Sequence, residues 1–294
     1  MQTERRTSRP VTYVLDTNVY RKIARQDLSL PTRLARMVAL SYVTYMELMA
    51  QLQSCNPRTF PEIQRALVLA RQHGRRKLLH WPTDFVEMTV LGIHRHASYK
   101  QDAKKALELA VRVRDVATRN RPVTLDGRKY LLGNFASERT RFQQEWIGSF
   151  NRIKMLAQQH SNYPTPRTGA VLTASDAAQL NQFVRSDHWR ELYGQAIAGS
   201  QSNLGAPAMS PLNIARALDA ACNFAGAVFR AVLVDGYRAE QNANDAYDHG
   251  QLQYLCGETM TLVTDDRPLR NRVGQSSQAG RIISSGEFLQ RALT

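Results

Sequence analysis

Carboxylates that follow apolar segments are the residues of this sequence best suited to chemistry. Asp16 comes directly after segment 11–15, Glu47 follows segment 39–44, and Asp266 follows segment 260–264. Each segment is rich in β-branched, aromatic and aliphatic residues and is predicted to be a strand. In an open parallel sheet, the carboxyl ends of the strands meet at one edge, and binding sites form there. We therefore expect the three carboxylates to lie close together.

A second pair of acids belongs to the same candidate set. Asp245 and Asp248 are three residues apart near the start of a predicted helix over 244–256, so they share a helix face. That helix leads into the predicted strand before Asp266. Either aspartate is suited to complete the set, and spacing alone leaves the choice open.

Crowded carboxylates repel one another, and they stay ionised together only when a cation joins them. Oxygen ligands favour Mg²⁺ or Mn²⁺ over zinc. Such an ion orients a water molecule, lowers its pKa and offsets charge on a phosphodiester during hydrolysis. The pattern therefore points to metal-dependent hydrolysis of a phosphate ester.

Each acid also has a purely structural interpretation. Asp16 is suited to cap the helix that follows it, and Asp248 to place a negative charge at a helix start. Glu47 fits an ordinary surface position and Asp266 a turn. All four structural interpretations must hold at once to remove the site, and their shared placement at element ends favours function.

The overall charge indicates the class of partner. The 294-residue chain has 39 Lys and Arg against 25 Asp and Glu, a net charge of +14. Such an excess attracts polyanions, so we expect nucleic acid, and RNA in particular, as the partner. A solvated basic surface without a partner is the alternative. The basic residues are spread along the chain rather than gathered beside an amphipathic anchor, so we expect no membrane partner.

Cysteine usage indicates the compartment. Cys55, Cys222 and Cys256 are scattered and never form a Cys-x-x-Cys pair, so neither a disulfide framework nor a zinc site is predicted. No apolar run approaches the length of a membrane span. We expect a cytoplasmic protein.

Hydrophobic periodicity predicts one α/β domain divided by a helical insertion. Residues 1–98 alternate strand and helix, which is typical of a parallel sheet with crossovers. Residues 99–221 read as successive helices with no convincing strand, and residues 222–294 return to the α/β pattern. The predicted strands are 11–15, 39–44, 77–80, 260–264 and 280–284. The main predicted helices are 17–25, 61–72, 101–121, 135–160, 174–198, 211–238 and 244–256.

The motifs resemble those of the PIN-domain nuclease family in type and order. The matching segments are Val14 to Val19 (VLDTNV), Val43 to Leu48 (VTYMEL), Asp245 to Asp248 (DAYD), Leu262 to Asp266 (LVTDD) and Arg281 to Leu289 (RIISSGEFL). The resemblance covers residues 11–98 and 222–294. It implies a PIN-like, mostly parallel central sheet flanked by helices, and a metal-dependent nuclease.

The resemblance also assigns roles to residues. It implies Asp16, Glu47, Asp248 and Asp266 as the catalytic and metal-binding acids. It favours Asp248 because the spacing to the helix over 252–255 is similar to the family's. Supporting roles go to the neighbours Asn18, Thr264, Asp245 and Asp265. For many bacterial members the activity is RNA cleavage by the toxin of a toxin–antitoxin pair, which makes an antitoxin or other protein an expected partner. A defence system and homo-oligomerisation are further expectations.

The insertion carries a basic helix of its own. Lys104, Lys105, Arg112 and Arg114 lie in the predicted helix 101–121 and are candidates for contact with a nucleic-acid backbone, with a solvated helix as the alternative. His249, next to Asp248, is a candidate for contact with substrate, but an ordinary surface position is the favoured interpretation.

Two other functions compete with the nuclease. A haloacid-dehalogenase-like phosphatase also places an aspartate after its first strand, but it needs Asp-x-Asp, and Asn18 stands at the second position. A catalytically inactive PIN-like RNA-binding or scaffold protein is the non-enzyme alternative. The complete set of acids favours the enzyme.

Overall fold

A computed structural model of the chain describes residues 10–92, 96–114, 122–130, 132–158, 173–199, 209–235, 237–238, 242 and 244–291. Its centre is a four-stranded sheet in the order β2-β1-β5-β6, and every pairing is parallel. The mixed α/β class with a parallel sheet flanked by helices is confirmed. The strands are β1 (Thr12–Leu15), β2 (Val38–Ala39), β3 (Val123–Leu125), β4 (Arg128–Tyr130), β5 (Met260–Val263) and β6 (Ile282–Ile283).

Helices cover both faces of this sheet. The helices are α1 (Thr17–Ala24), α2 (Thr32–Ala35), α3 (Tyr42–Ser54), α4 (Phe60–Gly74), α5 (Pro82–Val90), α6 (His96–Arg114), α7 (Leu132–Gln158), α8 (Ala174–Phe183), α9 (Asp187–Gly199), α10 (Pro211–Ala217), α11 (Asp219–Val234), α12 (Asn244–Gln253), α13 (Arg267–Val273) and α14 (Ser285–Gln290).

Alternation along β1 separates two hydrophobic cores. Val14 points into one core, whereas Tyr13 and Leu15 point into the other. Because both faces of a parallel sheet are covered, its strands are apolar on both sides. The central strands β1 and β5 pair in register from Thr12 with Met260 through Leu15 with Val263. This register brings the residues after both strands to the same edge.

The helical segment 99–221 contributes to both cores. Trp146, Phe150 and Trp189 lie in the core that contains Val14, and Ala106 lies in the other. Among the described residues, the segment therefore shares its hydrophobic cores with the sheet. The expected boundary at residue 221 falls inside α11.

A β-hairpin stands where no strand was predicted between residues 99 and 260. β3 and β4 pair antiparallel across Asp126 and Gly127, which both have positive φ (48° and 73°). An Asp-Gly pair of this conformation is the favoured two-residue hairpin turn, because its twist matches that of the strands. The prediction was wrong because the two strands are only three residues long.

Other boundaries also differ from the predicted ones. The predicted strand 77–80 is reduced to a single parallel bridge between Leu40 and Leu78. The predicted helix 174–198 is divided at 184–186 into α8 and α9, and α10 and α11 form in place of one helix. None of the described helices is by itself long and apolar enough to cross a membrane. α10 and α11 pass that test only as a pair, with a bend of 97° between them.

Candidate active site

Asp16 is placed at the carboxyl edge of the sheet by the end of β1. It is the N-cap of α1, and its Oδ1 accepts a hydrogen bond from the Thr17 backbone N–H (2.6 Å). Its Oδ2 accepts from the Thr264 hydroxyl (2.9 Å), so Thr264, a predicted supporting residue, contacts Asp16 directly. The capping and site interpretations of Asp16 are therefore compatible.

Asp266 reaches the same edge from β5. Its backbone N–H donates to the Thr264 hydroxyl (3.1 Å), and its Oδ1 accepts from the Leu269 backbone N–H (2.8 Å) as the N-cap of α13. Thr264 is fully buried and thus connects Asp16 to Asp266. One threonine hydroxyl fixes the separation of the two acids.

Glu47 does not follow directly on a strand, which corrects the predicted strand 39–44: the chain is already helical from Tyr42, and Glu47 lies inside α3. β2 ends at Ala39, and α3 begins at Tyr42 because the Ser41 hydroxyl accepts from the Thr44 backbone N–H (3.0 Å). Ser is a favoured N-cap, and this cap overrides the strand preference of the segment's β-branched residues.

Two side chains hold the carboxylate of Glu47 toward β1. The Thr17 hydroxyl donates to its Oε2, and the Gln51 amide donates to its Oε1 (3.1 Å). Thr17 therefore connects Asp16, through its backbone N–H, with Glu47, through its hydroxyl. Sequence reasoning missed both residues. The four-residue spacing of Glu47 and Gln51 on one helix was the available signal.

Asp245 and Asp248 differ sharply in their surroundings. Asp245 is buried, and its carboxylate accepts from Arg272 (2.7 Å) and from the Tyr237 hydroxyl (2.8 Å). The Arg272 guanidinium also lies 5.2 Å from the centre of the Tyr237 ring. A carboxylate engaged in this way orients a basic residue.

Asp248 is surrounded by acids. Burial raises its pKa from 3.8 to about 9, and repulsion from Asp16, Asp266 and Glu47 adds to the rise, with a smaller contribution from Asp245. Burial also raises the pKa of Asp16 to about 6. Hydrogen bonds from Thr264 and Thr17 oppose that rise, and repulsion from Asp266 adds to it. Four acids from four separate elements are thus close enough to repel one another.

The remaining predicted supporting residues lie on the outer side of this edge. Asn18 is exposed on α1. Asp265 accepts from Lys22 (2.8 Å) and from the backbone N–H and hydroxyl of Ser285. Burial acts to raise its pKa, but these hydrogen bonds outweigh that effect and hold the pKa of Asp265 below its usual value. Asp265 is therefore occupied by its own partners, and Asp266 remains the preferred acid.

The predicted basic helix is α6. Lys104 and Arg112 are exposed, Lys105 is half-buried, and the side chain of Arg114 lies outside the described residues. Lys104 approaches Glu108 one turn further along (3.8 Å). The Tyr45 hydroxyl donates to the Ala106 carbonyl (2.8 Å), which fastens α6 to the helix that carries Glu47.

His249 is buried, which corrects the expected surface position. Its ring centre lies 4.4 Å from that of Trp146, and its Nε2 is 2.8 Å from the Tyr193 hydroxyl. Burial lowers its pKa to about 3, so the imidazole is neutral at physiological pH. The residue fastens α12 to α7 and α9 rather than facing solvent.

Metal binding at this edge depends on how the acids are oriented. Within the part of the chain that the structure describes, no three His, Cys, Asp or Glu side chains converge into a ready-made metal site. The chemistry of the donors nevertheless fits a hard divalent cation, since all four are carboxylates. Mg²⁺ commonly binds one or two protein carboxylates and keeps several waters, so convergence of three ligands is not required.

No protein-family model, curated protein or solved structure matches this chain. The resemblance to the PIN family accordingly stays a prediction that rests on the sequence motifs.

Proposed function

We propose that this protein is a metal-dependent nuclease of PIN-like fold that hydrolyses phosphodiester bonds, with RNA as its substrate. Asp16, Glu47, Asp248 and Asp266 form its catalytic edge, here called the acid edge. The observation that carries the proposal is the meeting of four carboxylates from separate elements: Thr17 links Asp16 to Glu47, and Asp16, Glu47 and Asp266 lie close enough to Asp248 to raise its pKa. Strong perturbation by burial and by like charges is typical of functional sites.

Mg²⁺ or Mn²⁺ is the proposed cofactor, held by carboxylates of the acid edge. When bound, the ion lowers the pKa of a coordinated water and offsets charge on the phosphodiester. The protein's own part is to fix the acids. Thr17 holds Asp16 and Glu47, and Thr264 holds Asp16 and Asp266. The two threonines hold the carboxylates of Asp16 and Glu47, and the Leu269 backbone N–H holds that of Asp266, which lowers the entropic cost of assembling a site.

The ion pair between buried Asp245 and half-buried Arg272 supplies the support for the fourth acid. It joins α12, which carries Asp248, to α13, which begins at Asp266. An ion pair between the two helices limits how far Asp248 moves away from Asp266. Groups that support a metal ligand commonly contribute about 10- to 100-fold to affinity or activity.

Nucleic acid is the proposed substrate because the chain carries a net charge of +14. A positive field of this size concentrates polyanions and speeds their encounter with the protein. The motif resemblance adds the toxin of a toxin–antitoxin or defence system as the proposed biological role, with an antitoxin as a protein partner.

The alternative is a catalytically inactive PIN-like protein that binds RNA or serves as a scaffold. The observation that favours it is the lack of three converging metal ligands among the described residues. Under this alternative the acid edge is a repulsive cluster without turnover, and the basic surface alone acts.

One experiment separates the two functions. The purified chain is incubated with end-labelled RNA and with DNA of the same sequence, in Mn²⁺, in Mg²⁺ or in EDTA. The nuclease cleaves at least one substrate with metal and neither in EDTA. Binding without cleavage under every metal condition supports the scaffold and contradicts the nuclease.

A further inference from the structure

A cleft of about 530 Å³ lies beside the acid edge, between α1 and the segment that begins at Asp265. Asp266 lines the cleft, as does Asn18, two residues after Asp16. The rest of the lining includes four basic side chains, Arg21, Lys22, Arg25 and Arg267. Asp265 lines the cleft as well, so four cations and two carboxylates face it, and Asp266 belongs to both the cleft and the acid edge.

Several N–H groups of the basic side chains donate to no described residue. Arg21 donates from Nε to Glu62 (2.7 Å), and no bond from its two terminal nitrogens is found among the described residues. Lys22 uses one of its three N–H groups, toward Asp265 (2.8 Å). Arg267 is exposed and forms no ion pair with any residue the structure describes. Several N–H groups are thus available to a ligand.

Two of the acids that pair with these cations are less exposed than the cations themselves. The side chain of Glu62 is 13% exposed against 28% for Arg21, and that of Asp265 is 21% exposed against 37% for Lys22. In these two pairs the carboxylate is the more buried partner, although Asp265 also lines the cleft, and Asp27, a partner of Arg25, is 53% exposed against 41% for Arg25. Since the long basic side chains are already oriented, a ligand loses less side-chain entropy on binding.

We propose that this cleft binds the phosphodiester backbone of the nucleic-acid strand next to the phosphate at the acid edge. The inference rests on the proposed function and adds the position at which the substrate enters. Guanidinium groups match phosphate oxygens with paired N–H donors, and the ammonium of Lys22 adds a point charge. An acidic protein segment is the competing ligand, but Asp266 belongs to both the cleft and the acid edge, which places a phosphodiester directly beside the proposed chemistry.

The test measures binding separately from cleavage. Wild-type protein in EDTA is titrated into a fluorescein-labelled single-stranded RNA, and anisotropy gives Kd between about 50 and 200 mM salt. The variant Arg21→Met, Lys22→Met, Arg267→Met removes three cleft cations. The matched control Arg33→Met, Arg58→Met, Arg216→Met removes three exposed cations elsewhere, so both proteins fall by the same net charge.

The cleft variant is expected to bind about tenfold more weakly or worse, and its salt slope to fall by about 0.7 for each lost phosphate contact on a single strand. The control is expected to change Kd less than threefold. Equal losses in both variants, or an unchanged slope in the cleft variant, overturn the proposal. Competition by a polyglutamate peptide that depends on the same three residues also overturns it, in favour of a protein ligand.

Two further measurements keep the result interpretable. Thermal melting of each variant reports whether the loss of the pair between Arg21 and Glu62 has damaged the fold. The single variant Arg267→Met breaks no ion pair in the described structure, and it is expected to weaken binding about threefold while leaving Tm unchanged. If RNA binding depends on the cleft but the protein never cleaves RNA, the proposed nuclease function is contradicted and the proposed binding site is supported.

Discussion

Two groups of carboxylates in this protein differ in their exposure and in what surrounds them. Asp219, at the start of α11, accepts from the Ser276 hydroxyl (2.9 Å), the Ser277 backbone N–H (2.6 Å) and the Ser277 hydroxyl (2.8 Å). Arg190 lies 3.8 Å from its other oxygen. At the acid edge, Asp248 instead faces other acids, and its pKa is raised to about 9.

This contrast separates structural acids from candidate functional ones. A buried carboxylate stabilises a fold when donors and cations compensate for its lost hydration. Asp219 and Asp245 have such partners, and each joins elements that are distant in sequence. Asp248 lacks that compensation, and its ionised form is favoured only when a cation is added. Asp219 and Asp245 are buried, whereas the four acids of the acid edge are partly exposed, and the sign of the neighbouring charges differs as well.

The largest effect on cleavage is expected when the charge of Asp16 is removed. Asp16→Asn is expected to lower metal-dependent cleavage more than 100-fold, since it removes a proposed ligand charge while an amide oxygen still accepts from Thr264. Single-turnover cleavage of RNA in Mn²⁺ measures the effect. The matched structural variant Asp219→Asn is expected to lower Tm and to leave cleavage by the folded protein unchanged. Comparable cleavage losses in both variants contradict the distinction drawn here.

A second prediction compares the two aspartates of α12. Asp248→Asn is expected to reduce cleavage more than 100-fold, and Asp245→Asn about 10- to 100-fold, because Asp245 acts through Arg272. Both are measured at saturating Mn²⁺ on one RNA. A reversed order would move the fourth ligand one helical turn, to Asp245. Equal and negligible losses would remove α12 from the site.

The third prediction concerns stability and pH in the metal-free protein. The folded pKa of Asp248 is raised, so between 3.8 and about 9 the folded chain holds a proton that the unfolded chain releases. Stability therefore falls as pH rises through that window. Asp248→Asn is expected to be more stable than wild type by about 1–2 kcal/mol near pH 8, after allowance for partial solvent screening. Thermal melts in EDTA at several pH values measure this.

Asp265→Asn is the matched control for that prediction. The pKa of Asp265 is lowered by its bonds to Lys22 and Ser285, so its contribution to stability is present at neutral pH and lost in acid. The substitution is expected to destabilise the protein under the conditions in which Asp248→Asn stabilises it. A loss of stability in both variants would contradict repulsion at the acid edge.

Local sequence patterns predicted the strands and helices that are formed by apolar segments. The parallel pairing of the strands near 11–15 and 260–264 follows from two hydrophobic segments that each precede an acid. The start of α3 at Tyr42 was not predicted, because it depends on the cap by Ser41 and on the Thr44 hydroxyl, which donates to the Leu15 carbonyl (3.0 Å). Such a bond forms only after β1 and α3 have met.

The same limit applies to the candidate site. Asp16, Thr264 and Asp266 were predicted from their position after strands, and the structure brings them into direct or shared contact. The pairing of Asp245 with Arg272 was beyond a local pattern, because the two residues are 27 positions apart. Sequence spacing identified both aspartates of α12 as candidates. Only the tertiary structure shows that Asp245 is paired with Arg272 and that Asp248 is surrounded by acids.

The smallest expected effect concerns the second basic surface, on α6. We predict that replacing Lys104, Lys105, Arg112 and Arg114 together by Ala weakens RNA binding and lowers the salt slope, by at most about 0.7 for each lost contact. The reason is placement: α6 is fastened to α3 by Tyr45, and α3 carries Glu47. The effect should be smaller than that of the cleft variant, because Lys104 is 78% exposed, is weakly paired with Glu108 and is not held in one orientation.

Anisotropy titrations in EDTA compare the two variants directly, and Glu108→Gln should strengthen binding slightly if RNA lies on this helix. An unchanged slope together with no effect of Glu108→Gln would assign the α6 cations to solvent and leave the cleft beside α1 as the path of the strand.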